Sequence, residues 1–358
     1  MKYLSVICLL LLHTSLFAQK RDLWYSFYNA DSTLAGFKDA DGVVKIEPKF
    51  QPFFLHGVFE NIISVNEKQG DKYARYYLTK FGRKVGRDSV HIFDFTEDRE
   101  QEGFIRFRDH KADKGGLFNR YGDVVIPALY DGMTSVHNGM ITVLQGAKKI
   151  VSEDEEHFFW EGGSEKLIDT NGRVLIGDFK YDKMLNMNSL IVSDKQDQSP
   201  LRKNFKGENG KFYSFIDYNR EFKAWLEKDL LVNLDKEKLL RASFNTIANP
   251  AAVGGWALEP KEKYIGQYYE RIKAKLLQLK DPAFEYSLQV DDLNPDIYET
   301  EEFQPYLNLY GENRMPEYPV LEVVISYDIM TPNHRQDFFQ FLRTKEGYKL
   351  VSASLRKL

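Results

Sequence analysis

Four glycines constrain the fold of this chain more than any other feature. Gly42, Gly82 and Gly122 lie 40 residues apart, and Gly172 follows after 50. Residues 36–46 (GFKDADGVVKI) match residues 116–126 (GLFNRYGDVVI) position by position, and Phe50 matches Tyr130. The second copy is residues 77–85 (YLTKFGRKV) and the fourth is residues 167–176 (LIDTNGRVLI). The longer last interval matches an acidic and aromatic insertion, residues 153–162 (EDEEHFFWEG). Each copy reads as a short apolar strand, a polar pair, a glycine and a β-branched run. Asp-Gly and Asn-Gly are strong hairpin signals because both central positions of a two-residue turn need positive φ. All four glycines are therefore expected at β-turns. Pro48 or Pro127 then ends a strand or marks its edge. A unit holds three or four short strands and cannot bury its apolar face alone, so neighbours must stack. The expected fold is a mainly β N-terminal array of short antiparallel strands over residues 24–182, with about four units.

At these residues the chain resembles the WG-repeat family of bacterial exported proteins. Its units run roughly Gly-apolar-Ile-Asp-x-x-Gly-x-Val-Val-Ile-Pro-Pro-x-Tyr-Asp. The nearest copy is residues 116–131, where Val124-Val125-Ile126-Pro127 leads on to Tyr130-Asp131. The Trp-Gly pair that names the family is absent, and Ala35-Gly36 and Gly115-Gly116 stand in its place. The resemblance implies an extracytoplasmic β-repeat array with a binding role and no established catalytic residues.

The N-terminus adds a compartment. Met1-Lys2 precedes an apolar run, residues 3–12 (YLSVICLLLL), and small Ala18 precedes Gln19. This is the layout of a secretory signal peptide over residues 1–18. The run is too short for a bilayer, which needs about 20 residues. The only cysteine, Cys8, lies inside it. A mature chain would then hold no disulfide and no thiolate metal site. Lys and Arg number 49 against 53 Asp and Glu, a formal net charge of −4, which gives no general attraction to nucleic acid or to an anionic membrane. The expected product is periplasmic or secreted, soluble after cleavage, and without a later transmembrane segment or a nucleic-acid partner.

Beyond Asp182 the repeat fades. Residues 183–211 are rich in Asn, Lys, Asp, Ser and Gly and read as a linker or long loop. Residues 214–217 (SFID) echo the repeat, either as a degenerate fifth unit or as a strand entering a helix with Asp217 near its N-cap. Residues 212–358 read as an α+β domain of three helices followed by antiparallel strands. The first helix carries Phe222, Trp225, Leu226 and Leu230 on one face. The second starts near Asp235 with Leu240, Phe244 and Ile247 in register. The third opens at Pro260 and runs to Asp281-Pro282. Strands alternate through Phe284–Val290, Leu321–Ile329, Phe338–Arg343 and Tyr348–Leu355. The order resembles, at fold level only, cone-shaped folds of the nuclear-transport-factor-like class, and this carries no function.

Few residues point to chemistry. Asp39-Ala40-Asp41-Gly42 begins like a calcium loop, but Val43 and Phe50 occupy later ligand positions, which favours a hairpin. The histidines are scattered without metal-ligand spacing, and no nucleotide or hydrolase motif occurs. No catalytic residue, metal or cofactor is expected. Gly254-Gly255-Trp256 reads as a loop between two helices, with ligand contact as the alternative. In the insertion four acids precede Phe158, Phe159 and Trp160, the candidate partner-contact residues. The expected function is binding or scaffolding through the repeat surface, to protein or glycan. The alternative is an enzyme or small-ligand binder with its pocket in the C-terminal domain.

Overall fold

The computed structural model describes residues 22–93, 96–152, 157–251, 254–281, 284, 286–315, 317–327 and 334–355. The expected signal peptide, residues 1–18, and the acids at 153–156 lie outside the described residues.

The array hairpins share one way of closing. The Gly42 N–H donates to Asp39 O (3.0 Å), and the Asp39 N–H donates to Val43 O (3.0 Å). Thr79–Arg83, Asn119–Asp123 and Asp169–Arg173 repeat both bonds at 2.9–3.0 Å. Gly42, Gly82, Gly122 and Gly172 have φ of 83°, 79°, 77° and 80°. The residues before them are absent from the positive-φ set, so the two-residue turn inferred from Asp-Gly is corrected: this is a three-residue loop with the glycine in a bulge. The cause is the side chain that opens the turn. Asp39 Oδ1 accepts from the N–H groups of Asp41 and Val43, and Asn119 and Asp169 repeat this on their own turns. That leaves only the glycine to take left-handed backbone.

The turns lead into identical pairing. Ala35 pairs with Phe50, Phe37 with Ile46 and Lys38 with Val44. Gly115 pairs with Tyr130, Leu117 with Ile126 and Phe118 with Val124. Leu167 pairs with Ile176 and Ile168 with Val174. The strands Val44–Phe50 and Val124–Tyr130 bulge where Pro48 and Pro127 sit, since proline offers no ladder donor. The bulge folds backbone over Gly36 and Gly116. A Cβ on Gly36 would lie 2.3 Å from Ile46 O, and one on Gly116 would lie 2.7 Å from Ile126 O.

Adjacent residues of these strands enter different cores. Tyr76 and Leu78 join Phe37, Phe50 and Phe59, whereas Tyr77 joins Ile105, Phe107 and Phe118. Leu117 turns the other way, to Ile126, Ile141 and Ile168. Leu167 faces Ile176, Phe179 and Phe215. Successive sheets are thus stacked face to face, as the period-two alternation of a strand requires.

The stack continues through the expected linker, which is a correction. Leu185–Ser193, Arg202–Lys206 and Phe212–Asp217 form an antiparallel three-stranded sheet. Leu185, Tyr213 and Phe215 share a core with Met140 and Leu167. Gly210 closes a further turn of the same kind, with φ 79° and its N–H on Gly207 O (3.0 Å). The segment reads as a loop because its central buried side chain is polar. Arg202 donates to Ser214 Oγ, Ser214 O and Ser189 O, and hydrophobic periodicity does not register such a residue.

Helix α1 (Tyr218–Trp225) is capped by Asp217, which accepts from the Arg220 N–H (3.1 Å), and continues into a π-helical turn, Leu226–Leu230. Helices α2 (Lys236–Arg241) and α3 (Lys261–Gln278) follow. They pack Leu226, Leu239, Ile265, Ile272 and Leu276 onto one face of a six-stranded sheet, against Val323, Ile325, Phe339 and Phe341. Leu293, Tyr298, Phe303 and Tyr318 cover the other face. Phe244 and Ile247, expected on the second helix, lie instead on the strand Ser243–Pro250. Their spacing of three suits a helical stripe, yet on a strand it sends them to opposite faces, Phe244 to one core and Ile247 to the other. Gly254 and Gly255 do not join two helices. They connect Ser243–Pro250 to its antiparallel partner Trp256–Pro260.

The space around each glycine sets the cost of filling it. Gly36→Ala should cost about 3 kcal/mol in chemical denaturation, because backbone atoms must move. Gly42→Ala meets nothing within 4 Å and should cost only about 1 kcal/mol, from its left-handed φ.

Glu67 makes part of the array's stability depend on pH. Burial pushes its carboxyl up, but Lys84 (2.5 Å), Lys49 (2.9 Å) and the Tyr76 hydroxyl (2.7 Å) outweigh this and hold it at about 2. A depressed folded pKa contributes stability above the unfolded value near 4.5 and loses it as pH falls toward 2. Glu67→Gln should therefore cost about 1–3 kcal/mol at pH 7, and the gap to the parent should close between pH 4.5 and 2. Urea titrations across that window would read it.

Candidate binding surfaces

The aromatic insertion is the outer half of a bent hairpin. Met140–Gln145 pairs with Ser164–Asp169, and beyond them Lys148–Val151 pairs with Phe158–Glu161 as a separate two-stranded sheet. The bend comes from Gly146, Gly162 and Gly163, all at positive φ, and a Cβ on Gly163 would lie 2.8 Å from Ala147 N. Phe158 and Trp160 share a face of their strand and meet edge to face at 5.8 Å. Lys149 Nζ lies 4.0 Å from the Phe158 ring centre and 3.0 Å from Asp113, which also holds Arg108. Arg108 in turn lies 5.9 Å from the Trp160 ring. Trp160 is thus half-buried against the array edge. Phe158 and Phe159 are 49% and 57% exposed.

A second surface lies across the turn tips. Phe81 and Tyr121, each just before its turn glycine, stack at 5.7 Å while 75% and 53% exposed. Phe81 borders a groove of about 1210 Å³, closed on its far side by the segment from Leu307 to Glu317. That segment contains an array-like turn. Asn308 Oδ1 accepts from the N–H groups of Tyr310 and Glu312, and Gly311, at φ 77°, donates to Asn308 O. Arg99 clamps it through an ion pair with Glu312 and by lying 5.4 Å from the Tyr310 ring.

The groove is lined with acids, yet several are committed. Glu100 accepts from the Asn61 and Ile62 N–H groups at 2.7 and 2.9 Å, and burial raises its pKa. Glu102 accepts from the Asn138 and Gly139 N–H groups at 2.6 and 2.8 Å. Burial also lowers the His137 pKa at the rim. Asp39, the suspected calcium ligand, spends Oδ1 on its own turn and pairs with Lys45 (2.9 Å). Among the described residues no three His, Cys, Asp or Glu side chains are grouped to hold a metal ion. A smaller cavity shares Glu312 and Asn313 with the groove and opens beside Trp256.

Sequence reasoning singles out Phe158, Phe159 and Trp160, and the structure places them together on one strand. It misses the Phe81–Tyr121 pair, and it offers Trp256 only as the alternative to a plain loop. One signal for the groove is present in the sequence: residues 308–312 (NLYGE) match residues 119–123 (NRYGD), but they lie far outside the regular spacing.

Among the described residues no helix is long and apolar enough to cross a membrane. No curated protein and no solved structure matches the chain. Residues 116–148 match the family described as WG containing repeat. The matched segment runs from Gly116, under the bulge at Pro127, to the base of the aromatic hairpin, and over these residues the chain is similar to a WG repeat.

Proposed function

We propose that this chain is an exported, non-enzymatic binding protein that presents a WG-type β-repeat array to a protein partner. In this reading the repeats recur about every 40 residues from Trp24, and the array extends past 182 to Asp217. An α+β domain begins with α1. The carrying observation is the bent hairpin. It is anchored through Trp160, Lys149 and Asp113, and it holds Phe158 and Phe159 exposed outside the stacked sheets. Exposed aromatics on a rigid element suit partner contact, because large rings bury much area at low entropic cost. Glycan contact by the same rings, and a ligand pocket in the C-terminal half, are the competing readings. The cavity beside Trp256 supports the last of these.

The test is a Phe158→Ser, Phe159→Ser double variant. Stability should fall by no more than about 1–2 kcal/mol, from the contacts Phe158 makes with Trp160 and Lys149, while partner capture per folded molecule by crosslinking in the native envelope falls sharply. Unchanged capture per folded molecule would overturn the reading.

Export makes a separate expectation. N-terminal sequencing of the protein recovered outside the cytoplasm should begin at Gln19, and a chain retaining Met1 there would refute a cleaved signal.

A further inference from the structure

The second cavity lies on the C-terminal sheet. Its volume is about 680 Å³, and its wall is the loop that follows the strand Tyr286–Asp291. Trp256 begins the edge strand Trp256–Pro260 and lines the cavity with its residue 50% exposed. A half-exposed indole beside a concavity offers a large apolar surface to a ligand.

The polar groups around it are of one kind. Asp291, Asp292, Asn294, Glu312, Asn313 and Gln340 offer planar carboxylates and amides, Glu312 being ion-paired with Arg99, and no lysine, arginine or histidine is among the described lining residues. Several are held in place. Gln340 donates through Nε2 to Asp291 Oδ2 (2.8 Å) and to Glu322 Oε1 (3.1 Å). Asp291 Oδ1 takes the Asp292 N–H (2.8 Å). Asn294 Oδ1 takes the Asp296 N–H (2.9 Å). Asn313 donates to Tyr318 O (3.1 Å), and its own Oδ1 is buried without a hydrogen-bond partner.

This set discriminates among ligands. The absence of a lining base disfavours phosphates and uronates, which need a cation. Trp256, Pro295 and Ile297 give the cavity some apolar wall, but six of its eleven lining residues are acids or amides, which a lipid or a steroid-like ligand would desolvate without pairing. Neighbouring hydroxyls both donate and accept, which fits a ring of carboxylates and amides, and the C–H face of a pyranose fits an indole.

We propose that this cavity binds a neutral saccharide, stacked on Trp256 and hydrogen-bonded by Asp291, Asp292, Asn294 and Gln340. The site is separate from the Phe158–Phe159 surface and stands or falls independently of it.

The test uses the full-length protein and titration calorimetry with maltotetraose, cellotetraose, xylotetraose and chitotetraose. Spermidine and a galacturonate oligomer serve as the cationic and anionic comparisons. At least one neutral oligosaccharide should saturate the protein. Trp256→Ala should weaken it about tenfold, which is about 1.4 kcal/mol. Asp292→Asn, on an exposed loop, should weaken it as well, and this variant decides the matter should Trp256→Ala fail to fold. Saturation by spermidine alone would make this a cation site and overturn the proposal. So would an anionic preference, no saturation by any neutral sugar, or binding that the folded variants leave intact.

Discussion

Strands buried on both faces are the constraint on which the array depends. Leu117 and Phe118 are neighbours on one strand, yet they belong to cores on opposite sides of it. Met140 and Ile141, and Leu167 and Ile168, divide in the same way. A one-residue slip in pairing would exchange the two sets and leave both cores misfilled. Register therefore has to be fixed locally, before the cores assemble. The turns do this: a carboxylate or amide at the first position accepts two backbone N–H groups, and the glycine supplies the left-handed residue that sets the bulge. Three hairpins share the resulting pairing although their apolar side chains differ in size.

Polar groups tie successive sheets where apolar contact ends. Arg106 makes a bidentate contact with Asp98 and donates to Met133 O at 2.7 Å, so one guanidinium touches two units. The Tyr77 hydroxyl donates to Arg106 O and accepts from the His91 N–H. Glu100 and Glu102 carry the backbone N–H groups at the starts of two different strands. Buried or half-buried donors need such partners, and a missing acceptor costs about 1–3 kcal/mol. The acids that give the groove its charged look are in large part structural.

Legibility in the sequence follows the same division. The turn glycines, the β-branched runs and the long stripe of α3 are readable, because each depends on local chemistry or on a clean period. Two regions are not. In residues 185–217 the central buried side chain is Arg202, satisfied by Ser189 and Ser214, so a core position looks like loop. At Phe244 and Ile247 a spacing of three fits a helix, while the chain uses it to feed two cores from one strand. At the candidate sites, the run of Phe158, Phe159 and Trp160 is visible as composition. Which rings are exposed depends on Gly146, Gly162 and Gly163 bending the hairpin, and on Asp113 pairing with a lysine far along the chain. Trp256 is readable only as an exposed aromatic in a glycine loop, since the residues around its cavity come from a loop and a strand distant in sequence.

The segment closing the groove shows how a local motif can be reused outside its array. Asn308–Glu312 adopts the turn of Asn119–Asp123, bond for bond, and thereby projects Tyr310 and Glu312 toward Arg99. The side chains of that ion pair are 31% and 49% exposed, so it contributes at most about 1 kcal/mol. It is too weak to hold the segment down by itself. Apolar burial contributes more: Phe303 and Tyr318 are buried against Phe244, Val320 and Leu342 on the sheet. The division of labour follows from these magnitudes. Core packing keeps the segment on the sheet, and the rigid turn with its arginine contact fixes where Glu312 and Asn313 stand. Because both residues line the groove and the cavity beside Trp256, one short turn sets a wall of each.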